Sequence, residues 1–111
     1  MGRMQHLRTR AEFERVRREG RSWTQRLLVL VACRSDSDMV RVGVAAGKRV
    51  GSAVVRSRAK RLMREAALKH YTAIAPGWDV LLIARGAIAS VRMQDVAAEL
   101  EMLLWQAGLL K

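Results

Sequence analysis

The sequence predicts an α+β fold, a small α/β two-layer sandwich with helices packed on one sheet, in the order α-β-β-β-α-β-α. Three observations predict it. Stretches whose apolar residues recur at three and four positions alternate with stretches of period two or short continuous apolar runs. Turn residues mark the changeovers, as at Gly20, Ser35-Asp36-Ser37-Asp38 and Ala75-Pro76-Gly77. The chain has 111 residues, half of them hydrophobic, enough for one modest core and too few for two. A single domain over residues 1–111 follows.

The first helix begins at Thr9. Thr9-Arg10-Ala11-Glu12 fits a capping box, in which the Thr9 hydroxyl takes an orphan amide and Glu12 reaches back to the Thr9 amide. The helix is expected to run to Glu19, with Gly20 as its stop. Phe13 and Val16 are three apart and Phe13 and Arg17 four apart, so a ring and a guanidinium share one edge of its apolar face.

Residues 21–33 end in LLVLVAC, a Val- and Leu-rich run bounded by polar RSDSD, which reads as a buried strand and a turn. A short strand around Ser22 to Gln25 precedes it. Met39 to Ala46 alternates Val40, Val42 and Val44 with Arg41, Gly43 and Ala45, a strand with unlike faces, expected to form a hairpin with the run before it. After Gly47 and Gly51, residues 53–70 carry Val55, Ala59, Leu62, Met63 and Ala66 at helical spacing. Arg56, Lys60 and Arg64 are successive i, i+4 neighbours on the opposite side, flanked by Arg61, with Arg58 nearer the apolar boundary. WDVLLIAR supplies another buried strand. Ser90 is the expected cap of a last helix through about Ala107, with Met93, Val96, Leu100, Leu103 and Ala107 inside.

Several functions are excluded by what the residues lack. Cys33 is the only cysteine and has no partner for a disulfide or a cysteine cage, so a buried thiol is expected. His6 and His70 belong to no metal spacing; His70 suits a helix end. Asp36 and Asp38 read as loop residues, Glu99 and Glu101 as helix surface, and no carboxylate pair suits two-metal nuclease chemistry. Trp105 falls on the polar side of the last helix, whereas Trp23 and Trp78 lie near strand ends. No run of about eighteen apolar residues exists and Met1 to Leu7 is too short and polar for a secretory leader, so a soluble, cytoplasmic protein is expected.

The charge points to a partner. The formal net charge is +11, carried in two blocks: +5 over residues 1–26 and +7 over residues 46–71, against 0 and −1 elsewhere. Like charges repel across a folded surface, and an excess this uneven fits a polyanion, nucleic acid first. KRVGSAVVRSRAKRLMRE, from Lys48 to Glu65, holds seven of these charges in eighteen residues. Glycines flank Lys48 and Arg49 where backbone can approach a phosphate closely, and each Arg offers a planar fork to phosphate oxygens. These features do not separate DNA from RNA.

That stretch resembles the signature of the bacterial ribonuclease P protein subunit, a glycine-containing basic segment leading into an Arg-Asn-Arg helix followed by Lys-Arg and Arg-Glu. The likeness extends to LRTRAEFERVRREGRS, RVGVAAGKRVG and WDVLLIAR, and so spans nearly the whole chain. It implies a sandwich with a left-handed β-α-β crossover, against the usual hand. It also implies the protein subunit of ribonuclease P, an endoribonuclease whose catalytic centre lies in its RNA, with Mg²⁺ bound mainly by that RNA, no catalytic residue or metal site in the protein, and removal of the 5′ leader in tRNA maturation. The implied partners are ribonuclease P RNA and precursor tRNA, with one protein monomer per RNA and no membrane. By the resemblance Lys48, Arg49, Arg56, Ser57, Arg58, Lys60, Arg61 and Arg64 face RNA, Arg58 fitting a structural role equally well. Phe13, Arg17 and Val31 fall at the positions that take the single-stranded leader.

Here the chain departs from its relatives. Arg17 and Val31 stand where aromatic residues are common, Ala45 and Gly47 replace serines, and Ser52 and Ser57 replace asparagines. Arg17 can stack on a base or hold a phosphate. Serine offers one hydroxyl where asparagine offers an acceptor and two donors, which weakens any metal or leader contact there. Phe13 fits core packing and base stacking equally. Two other functions account for the charge: a general or ribosome-associated RNA-binding module, which does not require this order of segments, and a basic amphipathic helix for a membrane or acidic protein. The small apolar side of residues 54–68 would insert weakly into lipid and is suited to packing on a sheet.

Overall fold

The computed structural model describes residues 3–111. Its elements are β1 (Gln5–His6), α1 (Arg10–Glu19), β2 (Arg21–Thr24), β3 (Leu28–Arg34), β4 (Val40–Ala45), α2 (Ala53–His70), β5 (Trp78–Ala84) and α3 (Met93–Gln106), with short 3₁₀ turns at Lys48–Val50, Tyr71–Ala73 and Gly86–Ser90. The order is the expected one with a two-residue strand added at the front.

The five strands form one sheet in the order β1-β4-β5-β3-β2. β5 lies at its centre, antiparallel to β3 and parallel to β4. The expected hairpin between the LLVLVAC run and Met39–Ala46 is therefore absent. β5 is buried on both faces along most of its length and belongs between two neighbours, so it separates β3 from β4. Residues 35–39 arch over the start of β5 instead, held by Ser35 N–H donating to the Gly77 carbonyl at 2.9 Å and Gly77 N–H donating to the Met39 carbonyl at 3.1 Å. α2 is thus the crossover between the adjacent parallel strands β4 and β5.

One sheet face carries the main core. Leu28, Leu30, Val42, Val44, Val80 and Leu82 meet Ala59, Leu62, Met63 and Ala66 of α2 and Val96, Leu100 and Leu103 of α3. Truncating any one of the fully buried leucines should cost about 2–5 kcal/mol. α2 runs over the expected range because Ser52 caps it, its Oγ accepting from Val55 N–H at 3.4 Å, and because its small and apolar stripe keeps one face on the sheet. Gly51, at φ 149°, makes the turn into it; a Cβ there would meet Val55 at 2.9 Å.

α3 begins later than Ser90. Ser90 closes a 3₁₀ turn that buries Ile88, and Arg92 occupies the N-cap position, where its N–H donates to the Asp95 carboxylate at 3.0 Å. Glu99 is not a plain surface residue either. Its carboxylate accepts from the N–H groups of Leu27 and Leu28 at 2.7 and 2.9 Å and so pins the start of β3 to α3. Trp105 is 72% exposed, on the outer side of α3.

α1 lies on the opposite face of the sheet. The capping box is present as the sequence predicts: Thr9 Oγ1 accepts from Glu12 N–H, and Glu12 Oε1 accepts from the Thr9 amide. Beneath α1 a second, smaller cluster gathers Leu7, Val16, Val31, Cys33 and Leu81, with Phe13 packed at its edge. α1 covers only part of this face, and the uncovered remainder is where the site forms. Among the described residues no helix is long and apolar enough to cross a membrane.

Candidate nucleic-acid interface

The position of α1 is fixed by charges as much as by packing. Asp79, at the start of β5, is fully buried yet ionisable. Arg41 of β4 grips it with two bonds, Nε to Oδ1 at 2.8 Å and Nη2 to Oδ2 at 2.7 Å, and turns its remaining Nη1 to Glu12 at 2.7 Å. Arg15 of α1 adds a 3.0 Å bond to the same Asp79 carboxylate and a 2.8 Å bond to the Arg34 carbonyl of β3. Planar guanidinium forks suit this bidentate geometry. The Arg8 and Thr9 amides, donating to Glu12, hold its carboxyl down at about 2, and the positive charge of Arg41 adds to the effect. The hydrogen bonds to Asp79 in turn raise the Arg41 pKa above the ordinary arginine value.

Phe13 emerges on the other flank of α1, half-buried, its ring over Gly43 of β4. Together with His6, Leu7 and Arg8 it lines a small pocket whose far wall is Arg64 of α2. One turn along α1, exposed Arg17 borders a wider groove floored by Ala45 and Ile83 and rimmed by Lys48, Arg49 and Arg85. Lys48 and Arg49 sit in the 3₁₀ turn between β4 and α2, both exposed, so the turn points its charge over the open face of the sheet.

α2 continues the same surface. Arg56 reaches back to the Gly51 carbonyl at 3.4 Å, Lys60 is half-buried and Arg64 is exposed, one helical turn apart each. Ser57, Arg58 and Arg61 line a shallow groove on the outer side of the helix, beside Val54, which is 79% exposed. Arg61 pairs loosely with Glu65 at 3.7 Å. Arg58 is different: its Nη1 and Nη2 donate to the carbonyls of Ala89 and Val91 at 3.3 and 2.7 Å, bracing the turn before α3.

The structure thus brings Phe13 together with Arg64, and Arg17 together with Lys48 and Arg49, whereas Ser57, Arg58 and Arg61 line a separate groove on the outer side of α2. Val31 is set apart. It is 5% exposed beneath α1, and its side chain belongs to the apolar floor rather than to the open groove. Arg8 and Arg85 went unnoticed in the sequence. The signal for Arg85 was its place at the end of a buried strand, where a charge must leave the core; Arg8 is one of many arginines near the start. Asp79 was the larger omission, an acid inside an apolar strand flanked by a strand carrying Arg41. Among the described residues no group of three or more His, Cys, Asp or Glu side chains is placed to hold a metal.

Comparison with known proteins converges on one family. The family model described as Ribonuclease P matches residues 1–108. The ribonuclease P protein component of Roseiflexus castenholzii is 41% identical over 112 aligned residues, covering 100% of this chain and 92% of its own. That of Clostridium acetobutylicum is 39% identical, covering 93% and 88%. Among solved structures, the ribonuclease P protein of Staphylococcus aureus superposes with a TM-score of 0.86 at 27% identity, covering 98% of this chain and 100% of that one. The Thermotoga maritima protein gives 0.82 at 26% identity, covering 92% and 96%.

Proposed function

Because this chain belongs to the ribonuclease P protein family, we propose that it is the RNA-binding subunit of an endoribonuclease that removes the 5′ leader of precursor tRNA, with the catalytic centre in the RNA. The observation that carries this reading is the single basic surface on which Phe13 faces Arg64 and Arg17 faces Lys48 and Arg49. A single strand lying over the open face of the sheet would meet an aromatic edge and cations along its phosphates, while the Arg56, Lys60 and Arg64 row is free to take the catalytic RNA. The two RNAs repel each other, and cations shared between them offset that repulsion.

The charge of the surface supports the reading that the reaction's Mg²⁺ is bound by the RNA. Guanidinium and ammonium groups line the grooves and would repel a divalent cation, so the protein's part is to lower the amount of Mg²⁺ the RNA needs. Binding by phosphate neutralisation releases counterions, and affinity should fall steeply with salt, by close to one power of the salt concentration for each phosphate contacted. We assign the chain to the cytoplasm as one copy per RNA.

The deciding experiment is cleavage of precursor tRNA by a bacterial ribonuclease P RNA at low Mg²⁺, with and without the protein, beside a protein-only control. Stimulation with a silent control is the expected result. Tight RNA binding without stimulation by any bacterial ribonuclease P RNA would leave a general RNA-binding module, and cleavage by the protein alone would place a nuclease centre in the chain.

A further inference from the structure

α1 carries one of the two halves of the proposed leader groove, yet it is poorly anchored by apolar contact. Of its ten residues only Val16 is buried, with Phe13 half-buried beside it. Short helices are marginal by themselves and take their stability from packing. One buried valine leaves a helix free to roll about its axis. What prevents the roll is the cluster around Asp79: Arg15 ties α1 to β5 and to the Arg34 carbonyl of β3, and Glu12 ties it through Arg41 to β4. The two ties are three residues apart on α1, nearly one turn, and reach three different strands.

We propose that Asp79 is a positioning residue for leader recognition, acting through Arg15 and Arg41 to fix the rotation of α1 and hence the places of Phe13 and Arg17 opposite Arg64, Lys48 and Arg49. Asp79 itself is sealed from solvent and from RNA. Its effect is transmitted by geometry alone: a roll of α1 moves Phe13 off Gly43 and carries Arg17 away from the rim formed by Lys48 and Arg49. Removing one member of a buried ion cluster leaves its partners without their counter-charge, so the placement of α1 depends on Asp79, Arg15 and Arg41 together. The inference rests on the leader-binding reading given above, but its structural half stands independently of it.

The test uses Asp79→Asn and Arg15→Met in the full chain assembled with a bacterial ribonuclease P RNA. Two readouts are taken: affinity for precursor tRNA carrying a leader of several nucleotides against one trimmed to a single nucleotide, and amide hydrogen exchange of residues 12–19 against residues 59–67. The expected result is loss of about tenfold in affinity for the long-leader substrate, no more than twofold change for the trimmed one or for the RNA subunit, and faster exchange confined to α1. Arg15→Met covers the case in which Asp79→Asn does not fold, since Arg15 is partly exposed. Glu12→Gln, which keeps a neutral acceptor for Arg41, should retain most of the long-leader affinity. Unchanged exchange in α1, or faster exchange with leader preference intact, overturns the positioning role. Absence of any leader preference in the unaltered protein would overturn the leader-binding reading instead, with the exchange data still deciding whether Asp79 holds α1.

Discussion

The Phe13 ring rests on Gly43 so closely that a Cβ on Gly43 would lie 2.9 Å from Phe13 Cζ and 3.0 Å from Leu7 Cδ1. The absence of a side chain at Gly43 is what lets the tip of the ring approach β4. Gly43→Ala should therefore tip Phe13 outward and disturb Leu7, at a stability cost of about 1–3 kcal/mol, the range for overpacking. Thermal unfolding measures the cost. If the ring serves the leader, long-leader affinity should fall in Gly43→Ala and in Phe13→Ala alike, while mature tRNA binding holds; equal loss for both RNAs would make Phe13 a core residue only.

Glu12 should shape the acid limb of stability. Its carboxyl is held at about 2 in the folded chain against 4.5 ordinarily, so it contributes stability that is present above pH 4.5 and is lost as pH falls through about 2. Partial exposure reduces the contribution to about 1–2 kcal/mol. In Glu12→Gln, stability between pH 4.5 and 2 should depend on pH less steeply than in the unaltered protein, and denaturant titrations across that window check it. An identical slope would mean that the carboxylate is equally well solvated in the unfolded chain.

Arg58 and Arg64 should separate structure from binding. Arg58→Ala removes two hydrogen bonds to the Ala89 and Val91 carbonyls and should lower stability by about 1 kcal/mol, with little change in the salt dependence of RNA binding. Arg64→Ala should leave the melting temperature nearly unchanged and reduce the salt slope by about one. A reduced salt slope in Arg58→Ala would show that its guanidinium leaves those carbonyls for a phosphate.

Reversing Arg56, Lys60 and Arg64 together to Glu should abolish binding to the RNA subunit while circular dichroism stays native, because all three lie outside the core. Retained affinity in a titration at moderate salt would remove this helix face from the interface.

Glu99→Ala strips two buried-end amides of their acceptor and should cost about 1–3 kcal/mol in unfolding free energy without altering RNA affinity. Glu99→Gln, still an acceptor, should recover part of that. Affinity loss in Glu99→Ala at full occupancy of the folded state would tie this end of the sheet to the interface.

Local signals in the sequence were reliable where chemistry acts between near neighbours. The Thr9 capping box set the start of α1 correctly, and the apolar stripe from Ala59 to Ala66 identified the buried face of α2. Pairing across the sheet was not legible in the same way. LLVLVAC and Met39–Ala46 are five residues apart and look like a hairpin, yet the competing strand that separates them lies more than thirty residues further on. Ser90 has a better capping side chain than Arg92, but burial of Ile88 and the carboxylate of Asp95 move the helix start. In the site, the exposed basic side chains of α2 were evident from spacing. Their meeting with α1 depends on Asp79, whose partners are distant in sequence, and no local pattern reports such a contact.

The central place of β5 also governs how the chain can be made. Before Trp78 is synthesised, β1 with β4 and β2 with β3 are two ribbons with no backbone pairing between them. α2, with its six Lys and Arg side chains, leaves the ribosome while the sheet it packs against is still open, beside an abundance of ribosomal RNA. Folding is therefore completed late, by a strand that inserts between two waiting edges. A chain stopped at Ala75 should show no cooperative unfolding transition, whereas one ending at Leu110 should.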